Sequence, residues 1–350
     1  MVDPHPAAPG MAGLDTVSAD ENQPKKHHYV PVFFQSYFTN DKGLLWVYDR
    51  KLKTYKELPP PALCCQTDLY ALKPRGRPRD RRIETQYLAR VDGMSAKTFS
   101  GFSKDETLNP ERLGSFIFFL ALQHSRVPAN GEMITATYQA AAQAFMEVAY
   151  ANVDRAKQMI ADYESQTGKK LEADAAKMVD DVRGNRLEIK ATEVPFLESL
   201  WKHTKHIFYA LADFQWELLE SPPQTGFIIT DNPVTLVPPP KATTIGFGIP
   251  GTSTYLPLTR KFCLRLGVTQ VKESFVKLDR ESVRFINQNL AINSDRFIMS
   301  AEKMQLVSVV NRSGSMDLNP NPRFRLGQVP DPKGGILQMV SNLPRRPIYF

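Results

Sequence analysis

Leu113, Phe116, Ile117, Phe118, Phe119, Leu120, Ala121 and Leu122 lie within one helix-length segment and cover a helix nearly all round. A helix apolar on every side has to be enclosed. Its uninterrupted run, Phe116 to Leu122, is far short of the roughly 20 residues that cross a bilayer, so protein must do the enclosing. The segment therefore predicts a buried helix over residues 110 to 127, around which the rest of the chain is laid. Its last turn changes character, carrying Gln123, His124 and Arg126 before Pro128 ends it. A guanidinium there can clamp a phosphate or carboxylate bidentately, with Gln123 as a second substrate contact. The plainer reading is a cation in the last turn, worth about 0.3–1 kcal/mol against the helix dipole. His124 shares a side with Leu113, Ile117 and Leu120 and reads as a core histidine.

The segments on either side differ from the middle. Leu44, Trp46 and Tyr48 alternate between Gly43 and Pro59-Pro60-Pro61, the pattern of a strand or hairpin. A helix is expected from Arg81 through Ile83, Tyr87, Leu88 and Val91. From Glu132 to about Ala191 two helices are expected, broken near Gly168, the first with an apolar stripe of Ile134, Tyr138, Ala141, Phe145, Val148, Val153 and Ile160. A third runs from Val194 to Leu211. Strands follow at Phe214–Leu219, Gly226–Val237, Thr254–Pro257 and Phe262–Val268, then a helix from Arg280 to Ile292 and a strand at Arg296–Met299. Strands early and late around a helical middle of about residues 110–212 make an α+β fold, one domain over 26–312. Residues 1–25, rich in Pro and Gly, read as a disordered leader. The stretch 313–350 reads as a Pro/Asn-rich tail, mostly loop.

A length of 350 residues with 42% hydrophobic and 23% charged content is that of a soluble globular protein. Three cysteines, two of them the adjacent Cys64 and Cys65, give no disulfide framework and no Cys-x-x-Cys zinc spacing, so a cytoplasmic protein is expected. The net charge of +7 permits a nucleic-acid partner without requiring one. No membrane is expected, and the oligomeric state is open.

Chemistry-bearing residues sit at element ends. His27 and His28 precede Pro31, which suits the first turn of a helix, and Phe33, Phe34, Tyr37 and Phe38 then form one helical stripe. Imidazoles at the entrance of a buried helix can bind a metal or move protons; the alternative is one cap and one surface residue. Asp231 ends the apolar run Phe227-Ile228-Ile229 and is a candidate metal ligand or base, or else an Asx-turn residue bonding the backbone two positions on. Glu84 and Asp92 stand two turns apart on one helical face, able to divide acid and base roles or simply to sit on a solvated face. The run Lys73 to Arg82 has six positive charges and one negative, and Arg75, Arg77 and Arg79 are its candidate phosphate contacts. His203 and His206 do not share a face clear of their helix's apolar stripe and are not read as a metal pair.

His-His-Tyr-Val-Pro at 27–31, Asp68-Leu69-Tyr70, Ile83-Glu84, Leu122-Gln123-His124-Ser125-Arg126-Val127-Pro128 and Thr230-Asp231-Asn232-Pro233 together resemble an uncharacterised, mostly bacterial domain-of-unknown-function family over roughly residues 26 to 300. Asp92 stands where that resemblance leads one to expect a second glutamate. The resemblance marks residues to watch and implies no activity. Residue chemistry and the basic charge together lead to a metal-dependent hydrolase acting on phosphodiesters, most simply a nuclease. In it His27, His28 and Asp231 would hold a divalent ion (Mg, Mn or Zn; His28 and Asp231 as its ligands) or activate its bound water, Glu84 would assist, and Arg126 would stabilise negative charge. The competing class is a non-catalytic module binding nucleic acid, a nucleotide or a protein.

Overall fold

A computed structural model of the chain describes residues 24–73, 78–102, 110–184, 186, 191–240, 242, 245–268 and 275–313, with the backbone of two further strands at 324–330 and 336–342. The expected leader falls almost wholly outside the described residues, as do Arg75 and Arg77.

The chain begins with β1 (Lys26–His28), a short helix α1 (Val32–Ser36), and the hairpin β2 (Leu45–Asp49) and β3 (Thr54–Leu58). Pro31, at φ −57°, stands immediately before α1, where its missing N–H costs nothing. In β2 the period-two pattern holds, with Leu45, Val47 and Asp49 buried and Trp46 and Tyr48 half-buried. β4 (Cys65–Thr67) returns antiparallel to β1. A π-helical turn, Ile83–Leu88, leads into α2 (Ala89–Phe102), so the helix expected from Arg81 opens with wider winding.

α3 (Pro110–Arg126) is the enclosed helix that its sequence requires, and Phe116, Phe119, Leu120 and Leu122 are all buried. Phe34 of α1 packs edge-on to Phe119 (ring centroids 5.0 Å) and to Phe99 of α2 (5.4 Å), an arrangement that aromatic quadrupoles favour. The middle continues as α4 (Pro128–Ala149), α5 (Val153–Thr167), α6 (Ala175–Arg183) and α7 (Val194–Ala212). Gly168 does end α5, in the left-handed conformation at φ 67°. An earlier break precedes it, because Asn152 caps α5 by accepting from the Arg155 N–H. The stripe assigned to one long buried helix is therefore split. Tyr138, Phe145 and Val148 on α4 are each more than half exposed. Helical spacing made them share a face, and that face is left largely open to solvent.

β5 (Gln215–Glu220), β6 (Ile229–Thr230), β7 (Thr235–Val237), β8 (Ser253–Pro257), β9 (Phe262–Val268), β10 (Phe275–Lys277), α8 (Arg280–Asn293) and β11 (Phe297–Ser300) follow. α9 (Lys303–Arg312), absent from the sequence reading, then packs on β2 and β11. One sheet has the order β10-β5-β9-β8-β7. A second, β3-β2-β11-β6, joins the beginning of the chain to its end, since β11 is antiparallel to both β2 and β6. The fold is α+β, with strands at both ends and helices between. One continuous core runs from Tyr29 to Val309, while α5 and α6 keep a small cluster of their own around Ala156 and Val179. In the stretch read as loop, β12 (Phe324–Pro330) and β13 (Ile336–Asn342) pair antiparallel; their strand-forming Leu326, Val329, Leu337 and Val340 were outweighed by the prolines and glycines around them. Among the described residues no helix is long and apolar enough to cross a membrane.

Candidate functional site

β1 is one half of a two-stranded ladder, and its hydrogen-bonding alternation decides what surrounds it. The Tyr29 N–H donates to the Cys64 carbonyl (2.9 Å) and the Asp68 N–H to the Lys25 carbonyl (2.8 Å), so the His28 peptide points away from β4. Side chains meet it there. Arg126, wholly buried at the end of α3, donates from Nη2 to the His28 carbonyl (2.8 Å). The same guanidinium holds Asp92 of α2 through both carboxylate oxygens, at 2.7 and 3.2 Å. Burial works against the Arg126 charge, but Asp92, Tyr70 and Glu84 together outweigh it, so the pKa stands above its ordinary value. Glu84, in the π-helical turn, shares this guanidinium's field. Burial raises its carboxyl to about 7; Asp92 adds to the rise, while Arg126 and a hydrogen bond from the His28 peptide oppose it. Its Oε2 is buried and has no hydrogen-bond partner among the described residues.

His27 is fully buried and both its ring nitrogens are engaged. Nε2 donates to the Pro24 carbonyl (3.2 Å), and Nδ1 accepts from the Tyr70 N–H (3.0 Å). Its ring stacks on Tyr70 (5.7 Å, 6°), whose hydroxyl donates to the Arg126 carbonyl at 2.7 Å. Burial lowers the His27 pKa, in keeping with an Nδ1 that accepts a hydrogen bond. His28 is half-buried, and its Nε2 lies 3.2 Å from the Pro61 carbonyl. Gln123, buried, donates to the Tyr29 carbonyl at 2.7 Å, which makes it a brace for the strand exit in this arrangement. Arg79 pairs with Asp68, as does Arg81 through Nε at 2.7 Å. His124 is half-buried, its ring edge-on to Phe247. His203 and His206 are both exposed on α7.

Asp231 lies beyond Tyr29. Burial first, then Cys64, Asp231 and Asp295 around it, push the Tyr29 hydroxyl up. The Asp231 carboxylate accepts from the Asp295 N–H (2.8 Å) and the Arg296 N–H (2.6 Å), at the entry to β11. Burial and the charge of Asp295 raise its pKa to about 6 against those backbone donors. Neither the two-residue Asx-turn nor an open ligand position describes it; the carboxylate clamps backbone 64 and 65 residues further on. Arg296 in turn bonds Asp49 of β2 (2.8 Å).

The sequence-selected residues thus form two connected groups. His27, His28, Glu84, Gln123 and Arg126 meet around β1, and Asp231 is reached through Tyr29. Tyr70, which ties His27 to Arg126, was passed over as a site residue, and only its place in the Asp68-Leu69-Tyr70 block pointed to it. For a metal held by His28 and Asp231 the donor set is poor: Asp231 faces backbone amides, and among the described residues no group of three His, Cys, Asp or Glu stands close enough to hold an ion.

A family model described as "Protein of unknown function (DUF4238)" matches residues 26–304, from the first residue of β1 into α9 and across every residue of both groups. The chain belongs to that family. The match covers both β2 and β11, the strands whose pairing joins the beginning of the chain to its end. No curated protein and no solved structure matches the chain.

Proposed function

We propose that this DUF4238 chain is a hydrolase of phosphodiesters, most simply a nuclease, in which Glu84 moves the proton. The observation that carries this reading is a buried carboxyl raised to about 7 beside a second, partly exposed carboxylate held by a buried guanidinium. A base with a pKa near the working pH combines a useful ionised fraction with real basicity, and half-buried carboxyl pairs are where such values arise. Glu84 would take a proton from the attacking water. Arg126 would act through Asp92 and the His28 peptide, fixing both rather than touching substrate. A magnesium ion is commonly bound by one or two carboxylates together with substrate phosphates; Glu84 and Asp92 would be the carboxylates to hold it, although Arg126 already engages both oxygens of Asp92. The ion would supply neutralisation of the phosphate charge.

The test is cleavage of labelled single- and double-stranded DNA and RNA, with and without Mg²⁺ or Mn²⁺. Expected is a rate that rises with pH to a plateau above about 7, and a loss of about 10²–10⁴-fold in kcat in Glu84→Gln with that limb gone. Absence of cleavage of every substrate, or full activity in Glu84→Gln, sinks the reading. The internal pairing of both His27 ring nitrogens and both Asp231 oxygens supports a second one, a non-catalytic module that binds nucleic acid, a nucleotide or a protein. It predicts salt-dependent binding without turnover.

A further inference from the structure

A cavity of about 370 Å³ lies beside the start of β5, lined by Asp213, Phe214, Gln215, Phe247, Ile249 and Thr252. Its floor is set by a slip in the sheet. Gln215 pairs with Val268 but Trp216 with Leu266, which leaves Gly267 unopposed. Gly267 sits at φ 95°, and a Cβ there would lie 2.2 Å from the Thr252 carbonyl oxygen. Only glycine lets β9 approach the 246–252 loop so closely, and such bulges often re-aim a strand next to a binding site. The loop is closed by backbone bonds from Ile249 N–H to the Gly246 carbonyl (3.2 Å) and from Thr252 N–H to the Ile249 carbonyl (3.0 Å). His124 of α3 holds the Phe247 ring edge-on, with centroids 4.9 Å apart. Phe214, Phe247 and Ile249 are half-buried, an apolar wall left partly open, and the carboxylate of Asp213 and the amide of Gln215 are exposed at the rim. Thr252 is 2% exposed, and its hydroxyl has no hydrogen-bond partner among the described residues.

We infer that this cavity is a base subsite of the phosphodiester substrate, taking a nucleobase whose edge carries adjacent N–H donors, guanine above all. The inference rests on the proposed function. Flat aromatic walls suit a π-face, as in sites that read unstacked bases. A carboxylate accepts from two neighbouring N–H groups of guanine and repels the acceptor edge of adenine or cytosine. The volume is at the small end of ligand cavities, right for one base and its sugar. A free cationic amine would also suit Asp213, but the net charge of +7 favours an anionic nucleotide over a cation.

Calorimetric titration of the full chain with guanosine, adenosine and cytidine 5′-monophosphates decides the matter. Guanosine monophosphate is expected to bind at least about tenfold tighter than the other two, because a site built around hydrogen bonds rejects a ligand that leaves them unmade. Asp213→Asn should erase that preference, and Phe247→Ala should weaken all three nucleotides. Should Phe247→Ala not fold, Phe247→Leu keeps the apolar volume while removing the aromatic face, and Asp213→Asn alters only an exposed carboxylate. Equal binding of the three, a preference that survives Asp213→Asn, tighter binding of tryptamine than of guanosine monophosphate, or no heat at about 1 mM nucleotide would each overturn the inference. The two proposals fail separately. Guanine-selective binding without cleavage leaves the subsite standing and removes the hydrolase, whereas cleavage without base discrimination does the reverse.

Discussion

Two buried carboxyls, Glu84 and Asp231, have been moved in the same direction by the same cause and are nonetheless in opposite situations. Burial raises both, to about 7 and about 6. At Asp231 each oxygen meets a backbone N–H of the β11 entry, so the carboxylate closes the hydrogen bonding of a chain crossing. At Glu84 one oxygen has no hydrogen-bond partner among the described residues, and the nearby guanidinium bonds Asp92 and the His28 carbonyl. A carboxyl whose acceptors are filled is a structural clamp. One whose desolvation is left uncompensated is held at some cost to stability, and that cost is the usual sign of a group kept for chemistry.

The largest effect is expected where the two regions' shared scaffold is most buried. Arg126→Ala orphans Asp92 and the His28 carbonyl and should cost about 3–5 kcal/mol in denaturant unfolding, as breaking a buried pair does. A loss below about 1 kcal/mol would mean that water already screens the pair and that the Glu84 region is not the low-dielectric site described.

Asp231→Ala leaves two inward-facing amides without acceptors. It should cost about 2–4 kcal/mol, at about 1–3 for each orphaned donor, and speed hydrogen exchange at Asp295 and Arg296. Glu84→Ala leaves no such donors, apart from the His28 peptide, and should cost far less. Equal losses would erase the distinction between clamp and unspent acid.

The pH dependence separates them more finely. A carboxyl whose folded pKa exceeds its unfolded value stabilises the protein in its protonated form; that contribution is complete below the unfolded pKa and is lost as pH rises through the folded one. For Glu84, with an ordinary value of 4.5, stability should fall between about pH 4.5 and pH 7. Glu84→Gln should therefore be neutral at pH 4 and stabilise by about 1–3 kcal/mol at pH 8. Melting curves of the two proteins that stay parallel from pH 4 to pH 8 would place Glu84 in water.

The smallest effect belongs to Tyr70→Phe. It removes one hydrogen bond to the Arg126 carbonyl and should cost about 1 kcal/mol, leaving the His27 stack in place. A much larger loss would show that Tyr70 positions Arg126 rather than merely bonding it.

Elements whose partners are local were readable in the sequence. Alternation exposed β2, the all-round apolarity of Phe116 to Leu122 exposed α3, and Gly168 marked the end of α5 because its left-handed φ suits glycine. Residue choice also picked out Glu84, Arg126 and Asp231, since carboxylates and guanidinium groups at the ends of apolar elements need partners. It could not name those partners. Asp92 lies 34 residues from Arg126, and the Asp295 N–H lies 64 from Asp231. Periodicity misled at α4, where Tyr138, Phe145 and Val148 share a face yet are each more than half exposed. The π-helical turn that carries Glu84 has no residue signature at all.

β11, which completes the sheet begun by β2, makes the order of synthesis matter. Arg296 reaches Asp49 across 247 positions, so the first strands leave the ribosome long before their neighbour exists. At about 5–20 residues per second that interval is roughly 10–50 s. Throughout it β2 has only β3 beside it and its other edge is open, an invitation to wrong pairing with other chains. The nascent protein is thus expected to depend on a holding chaperone during that window, and to be most vulnerable when translation stalls before residue 297.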